Sequence, residues 1–260
     1  MALFELRRVS KTFTQRGNPP FKALDDVSIS IDAGECVAIV GESGSGKSTL
    51  ARVALRLLEP DGGDILLDGE SVLAMPQGVW NQRRLSVQPV FQDPSSAFNP
   101  RRTAQSSLEQ AIHQCVPREP AAPRERALEL LENVELRPAA EFLARYPHQL
   151  SGGQRQRLGI ARALATRPRL IIADEPLSGA DVSIRAQVLN LLLDLRDRDN
   201  IAVLMITHDM LVARALADRI VVMHRGRVVE AGATRDVMNS PTDPYTRRLL
   251  DAVLAVDIEP

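Results

Sequence analysis

Two adjacent carboxylates, Asp174 and Glu175, follow the apolar run Leu170-Ile-Ile-Ala173. Such a run reads as a buried strand, and at a strand's tip both acids can reach a site beyond the sheet. The pair suits metal-assisted attack by water: Asp174 to hold a divalent cation, Glu175 to orient or deprotonate the water. By composition alone the same acids would equally serve a solvated loop or a helix cap. A second segment narrows the choice. Gly41-Glu-Ser43-Gly44-Ser-Gly46-Lys47-Ser48-Thr49 fits G-x-x-x-x-G-K-[ST] and lies between an apolar run at 36–40 and a helical pattern at 48–58. Gly41, Gly44 and Gly46 let the backbone turn its N–H groups inward around a phosphate. The helix start adds partial positive charge, Lys47 can reach the β and γ phosphates, and the Ser48 hydroxyl can ligate Mg²⁺. The chemistry indicated is binding and cleavage of a nucleoside triphosphate.

A third segment, Leu150-Ser151-Gly152-Gly153-Gln154, opens a helix expected over 154–165. Ser151 is a natural N-cap, and with the amides of Gly152 and Gly153 it can form a second anion site. Placed upstream of an acidic strand end, Leu-Ser-Gly-Gly-Gln resembles the signature of ABC transporter ATPases, and the resemblance covers nearly the whole chain. It implies roles for further residues. Gln92, in Val90-Phe-Gln-Asp93, corresponds to the glutamine that senses Mg²⁺ and the γ-phosphate, so that Ser48, Gln92 and Asp174 form the expected metal set. His208, in Ile206-Thr-His-Asp209, corresponds to the histidine that contacts the γ-phosphate. Phe13 resembles the aromatic that stacks on adenine. Ser178-Gly-Ala-Asp181 resembles the D-loop but departs from its usual Ser-Ala-Leu-Asp; Asp181 is kept, while Gly179 and Ala180 would loosen communication between two sites.

The cofactors implied are ATP and Mg²⁺. The family's subunits pair head to tail, so Ser151, Gly152, Gly153 and Gln154 of one subunit would face the ATP held by Lys47 of another. The implied fold is α/β: a P-loop NTPase (RecA-like) core with a small antiparallel β-subdomain and an inserted α-helical subdomain. We expect a single domain, with residues 1–92 and 159–225 as core plus β-subdomain, 93–158 as the helical part and 226–260 as a C-terminal extension.

Tyr146-Pro-His-Gln149, Phe98-Asn-Pro-Arg101, Asp181-Val-Ser-Ile-Arg-Ala-Gln-Val-Leu-Asn190 and Pro244-Tyr-Thr-Arg-Arg-Leu-Leu250 resemble the peptide and nickel importer branch, the oligopeptide/dipeptide permease ATPase type. Di- or oligopeptides are the expected cargo. Nickel or another small solute is the alternative, and a soluble non-transport ABC ATPase a distant one. Expected partners are a second ATPase subunit (a heterodimer rather than a homodimer), transmembrane permease subunits contacting residues 93–102, and indirectly an extracytoplasmic solute-binding protein. No cysteine follows Cys115, so the iron–sulfur segment of some branch members is not expected.

The elements that must position these residues are legible in outline. The 260 residues are 44% hydrophobic and 25% charged, ordinary for a globular chain with a sizeable core. A formal net charge of -1 offers no basic tail or face for nucleic acid. Lysine occurs only at 11, 22 and 47, which draws attention to Lys47. Cys36 and Cys115 form neither a disulfide framework nor a metal cluster. The charged N-terminus lacks a signal-peptide centre, and no run reaches the roughly 18 apolar residues of a membrane span, so a peripheral position on the cytoplasmic face of the inner membrane is expected. Apolar runs at 36–40, 170–173, 201–206 and 220–223 alternate with helical patterns, as in a parallel sheet covered on both faces. Residues 3–9, 27–31 and 65–67 read as a small antiparallel sheet, 108–116 and 124–134 as helices of an insertion, and the tail as a hairpin with one or two short helices.

Overall fold

The computed structural model describes residues 2–14, 17, 19–92, 98–115, 123–176 and 182–256. Its main sheet has the order β10-β9-β3-β8-β7-β6. The strands are β3 (Cys36–Val40), β6 (Val87–Val90), β7 (Leu170–Asp174), β8 (Ala202–Ile206), β9 (Arg219–His224) and β10 (Arg227–Ala233). All neighbours run parallel except the β9–β10 hairpin at one edge. A second sheet of order β2-β1-β4-β5 is antiparallel: β1 (Phe4–Phe13), β2 (Phe21–Ile31), β4 (Gly62–Leu67) and β5 (Glu70–Ser71).

The main sheet is buried on both faces, and alternation along its strands sorts the core into two layers. Cys36, Ala38 and Val40 of β3 join Ile171, Ala173, Val203 and Met205 in one apolar cluster. That layer is covered by helices: α3 (Ala104–Cys115), α4 (Pro123–Asn133), α5 (Ala139–Leu143), α6 (Gly152–Leu164), α7 (Val182–Asp199) and α8 (Met210–Leu216). Val37 and Ile39 point the other way, with Ile172, Leu204 and Ile206, against α1 (Lys47–Ala54), the antiparallel sheet and Trp80 of α2 (Gln77–Arg83). Burial also pushes the Cys36 thiol up to about 12, as expected of a core residue rather than a reactive one. The tail continues from β10 into α9 (Thr234–Asn239) and α10 (Pro244–Val256).

Several elements differ from expectation for identifiable reasons. The first helix stops at Ala54 rather than running to 58. Arg56 adopts φ 49°, and the N–H groups of Leu57 and Arg56 return to the carbonyls of Arg52 and Val53. That is a Schellman closure with arginine where glycine would have signalled the end. β1 and β2 exceed the expected strands because their pairing shifts register between Leu6 and Val9, breaking the alternation. β6 carries Pro89 and was not anticipated; it lies at the sheet edge, where a missing N–H costs no ladder bond. The short helices α2 and α8 were also not anticipated.

Candidate nucleotide site

The parallel strands deliver the site residues to one edge of the sheet, beyond their carboxyl ends. The phosphate loop leaves β3 and enters α1. Gly41 has φ 153°, and a Cβ there would sit 2.2 Å from the Met223 carbonyl oxygen; Gly46 has φ 105°, and a Cβ would sit 2.4 Å from the Ala23 carbonyl oxygen. The loop is therefore packed against β9 and β2, which leave no room for a side chain at these two positions. Gly44, with φ 80°, opens onto free space. Alanine at either Gly44 or Gly46 carries backbone strain, but Gly46→Ala should destabilise the protein further, by about 1–3 kcal/mol, because its Cβ must also displace β2. Urea denaturation of the two variants measures the difference; equal midpoints would contradict the packing.

The loop is braced internally and from the C-terminal half. Lys47 Nζ donates to the Gly41 and Glu42 carbonyls at 2.6 and 2.8 Å, and Ser45 Oγ lies 3.4 Å away. Its side chain is buried, and that desolvation lowers its pKa against the opposing pull of Glu175, Asp174 and Glu42. The two-residue turn Arg225-Gly226, with φ 47° and 80°, joins β9 to β10, and the Gly226 N–H donates to the Ser45 carbonyl at 2.9 Å. Thr49 is partly covered in the first turn of α1, and Ser43 is exposed at the loop's crest.

Ser48 and Asp174 meet. The Ser48 hydroxyl donates to Asp174 Oδ1 at 3.2 Å, joining the start of α1 to the tip of β7. Burial raises the Asp174 pKa, the Ser48 hydrogen bond lowers it, and the Glu175 charge raises it further. A half-buried carboxyl so disposed gains by receiving a cation. Hydroxyl and carboxylate oxygens are the donors Mg²⁺ accepts, few in number because the ion keeps waters and phosphate oxygens as ligands. The residues present therefore fit the ion. Gln92 lies exposed two residues beyond β6, on the same sheet edge.

Glu175 occupies the left-handed region at φ 45°, unusual for a side chain with a Cβ, and its N–H is held by the Ile206 carbonyl at 2.9 Å. His208 Nδ1 lies 3.4 Å from Glu175 Oε1. Next to it Asp209 caps α8 through the N–H groups of Leu211 and Val212. Strain held by neighbouring strands at the acid is a feature of reacting centres.

Ser151 is the N-cap of α6. Its hydroxyl accepts from the Gln154 N–H at 3.2 Å, and Gln154 Oε1 accepts from the Ser151 N–H at 3.0 Å. This capping box aims the first amides of the helix, including those of Gly152 and Gly153, away from the helix body. The buried Gln156 side chain donates to the Phe91 carbonyl at 3.4 Å, tying α6 to the segment that holds Gln92. Phe13 ends β1, 42% exposed, and pairs across the strands with Phe21. Asp181 and the rest of the expected D-loop, and residues 93–97, lie outside the described residues. Sequence reasoning did not single out Ala23, Met223, Gly226 or Tyr245 as supports of the loop; only the folded arrangement brings these distant segments beneath it.

The fold and the loop define a P-loop nucleotide-binding cassette, and comparison with known proteins agrees. The ABC transporter family matches residues 24–178. The oligopeptide transport ATP-binding protein AppF of Bacillus subtilis is 43% identical over 258 residues, 96% of this chain and 78% of AppF. The glutathione import ATP-binding protein GsiA of Shigella boydii is 47% identical over 233 residues, 89% of this chain but 37% of GsiA. Among solved structures, an ATP-binding cassette in a dimeric post-hydrolysis state bound to ADP and Pi superposes with TM-score 0.77 at 34% identity, covering 89% of this chain and 99% of that one. The cbiO1 subunit of Clostridium perfringens, part of the cbiONQ transporter complex, gives TM-score 0.79 at 25% identity over 98% and 97%. The chain belongs to the ABC transporter family.

Proposed function

We propose that this chain is the ATP-hydrolysing subunit of an ABC importer whose cargo is di- or oligopeptides. The observation that carries the motor reading is the convergence of the phosphate loop, the Ser48–Asp174 pair and the Glu175–His208 pair on one sheet edge. Peptide cargo is supported by AppF, whose name specifies oligopeptide transport.

Lys47 exchanges its loop carbonyls for the β and γ phosphates, and the loop amides bind the remaining oxygens. Ser48, Asp174 and Gln92 would hold Mg²⁺, which supplies charge neutralisation at the phosphates. Glu175 accepts a proton from the attacking water as the water oxygen bonds to the γ-phosphorus. The bond from that phosphorus to the bridging oxygen breaks, leaving ADP and phosphate, with His208 steadying the γ-phosphate. Phe13 offers a flat face for adenine. Ser151 with the amides of Gly152 and Gly153 lies on a separate element, α6, and acts on the ATP of a second subunit in a head-to-tail dimer. Asp181 contributes at that junction.

A groove of about 510 Å³ runs between the core and the helical part. Its lining includes Leu57, Trp80 and Phe98 together with Arg84, Arg102 and Arg162, and holds no carboxylate among the described residues. Arg162 lies over the Phe98 ring at 4.9 Å. An apolar permease segment carrying an acidic residue fits these walls, placing the chain peripherally at the membrane. Among the described residues no helix is long and apolar enough to cross a bilayer.

The test is phosphate release by the complex reconstituted in vesicles. Release should rise several-fold when a peptide-loaded binding protein is added to chain, partner ATPase and permease. Full turnover by the chain alone, with no permease retained on co-purification, would reject the transport reading.

A further inference from the structure

The C-terminal helix reaches the phosphate loop. Glu230 on β10 accepts from the Thr242 N–H at 2.7 Å, the Thr242 hydroxyl at 2.9 Å and the Asp243 N–H at 3.1 Å. Asp243 Oδ1 in turn accepts from the Tyr245 N–H at 2.7 Å, which fixes the start of α10. Tyr245 is thereby buried, 5% exposed, with its ring centroid 4.0 Å from that of His224 at the end of β9. Its hydroxyl oxygen accepts from the Glu42 N–H at 3.1 Å.

That N–H and the Gly41 carbonyl belong to one peptide unit. Lys47 holds the carbonyl end at 2.6 Å, and Tyr245 holds the amide end. When the ammonium turns to a triphosphate, the carbonyl loses this partner and Tyr245 remains as the grip on the plane. A flip of that plane would rotate the first turn of the loop and redirect the amides that follow. Burial raises the Tyr245 pKa, so the phenol stays neutral near neutral pH. The same helix packs on α8, whose capping residue Asp209 adjoins His208. α10 therefore touches the supports of both ends of the site.

We propose that Tyr245 is a positioning residue of the nucleotide site: it fixes the 41–42 peptide so that the loop keeps its phosphate-binding geometry after Lys47 leaves it, making the C-terminal helix part of the nucleotide-binding apparatus. The inference rests on the nucleotide-site reading above and extends it to a segment outside the nucleotide-binding motifs, one noted in the sequence only for its resemblance to the importer branch.

Tyr245→Phe keeps the ring against His224 and removes the acceptor. In the assembled complex, the KM for ATP should rise about tenfold, as expected for an amide left without its partner. The kcat should stay within about twofold, and the thermal midpoint should fall by no more than the loss of one hydrogen bond gives. Glu230→Gln, which weakens the anchor of α10 without touching the loop, should raise KM in the same direction and add less than its full effect to Tyr245→Phe. Calorimetry with ATP on the wild-type complex separates the two readings. No binding there would remove the nucleotide site itself. Normal binding there, with an unchanged KM in Tyr245→Phe or a lowered thermal midpoint alone, would overturn only the role of Tyr245.

Discussion

ATP should still bind when Glu175 is replaced by Gln, while turnover falls by about 10²- to 10⁴-fold. Glutamine preserves the volume and the backbone, including the N–H bond to Ile206 that holds residue 175 at φ 45°. It can still accept a hydrogen bond from water but cannot take its proton. The 3.4 Å approach of His208 should not compensate, because in the proposed mechanism that histidine is committed to the γ-phosphate. Phosphate release on the assembled complex measures turnover, and calorimetry measures binding. Wild-type-like hydrolysis by Glu175→Gln would withdraw the base assignment and leave water activation to another group. Weak binding instead would show that the left-handed backbone tolerates only the native side chain.

Lys47→Ala should abolish measurable nucleotide binding. Each charge-assisted hydrogen bond from the ammonium to phosphate is worth about 1.5–3 kcal/mol, or roughly 10- to 100-fold in affinity. Two effects add to this loss. The Gly41 and Glu42 carbonyls lose their donor, so the loop is less well braced before any ligand arrives. The carboxylates of Asp174 and Glu175 also lose the positive charge that balances them. A titration by calorimetry decides the matter, and an affinity equal to wild type would contradict the phosphate-loop reading. Chemical denaturation of the same variant should show a loss of about 1–3 kcal/mol for the orphaned carbonyls.

Much of this architecture could be read from residue order because the relevant signals are local. Glycines at 41, 44 and 46 announce a backbone that must bend without side chains, and the structure shows carbonyl oxygens where two of the Cβ atoms would be. The apolar runs of β3, β7 and β8 gave the sheet because strands buried on both faces need aliphatics at every position. The signature helix was expected to begin near Gln154 and begins at Gly152, since Ser151 caps through Gln154 in a reciprocal pair. What escaped the reading was non-local. Tyr245 lies 203 positions from Glu42, and no spacing rule connects them. The end of α1 escaped because arginine, not glycine, takes the left-handed position after it. The small elements α2, α8 and β6 are too short for periodicity to register.

Strand pairing makes chain length stricter than side-chain identity around the acids. Asp174 is aligned with Ile206, and the next N–H along, that of Glu175, closes on the carbonyl of the same isoleucine. Adding or deleting one residue within 170–174 would turn every side chain on one side of the change to the opposite face. The carboxylate beside Ser48 would then be Glu175 or none, and the aliphatics sorted between the two core layers would change places. Aliphatic exchanges at the nine apolar positions of 170–174 and 202–206 should be absorbed by repacking, whereas a single indel should cost both the core and the chemistry at once.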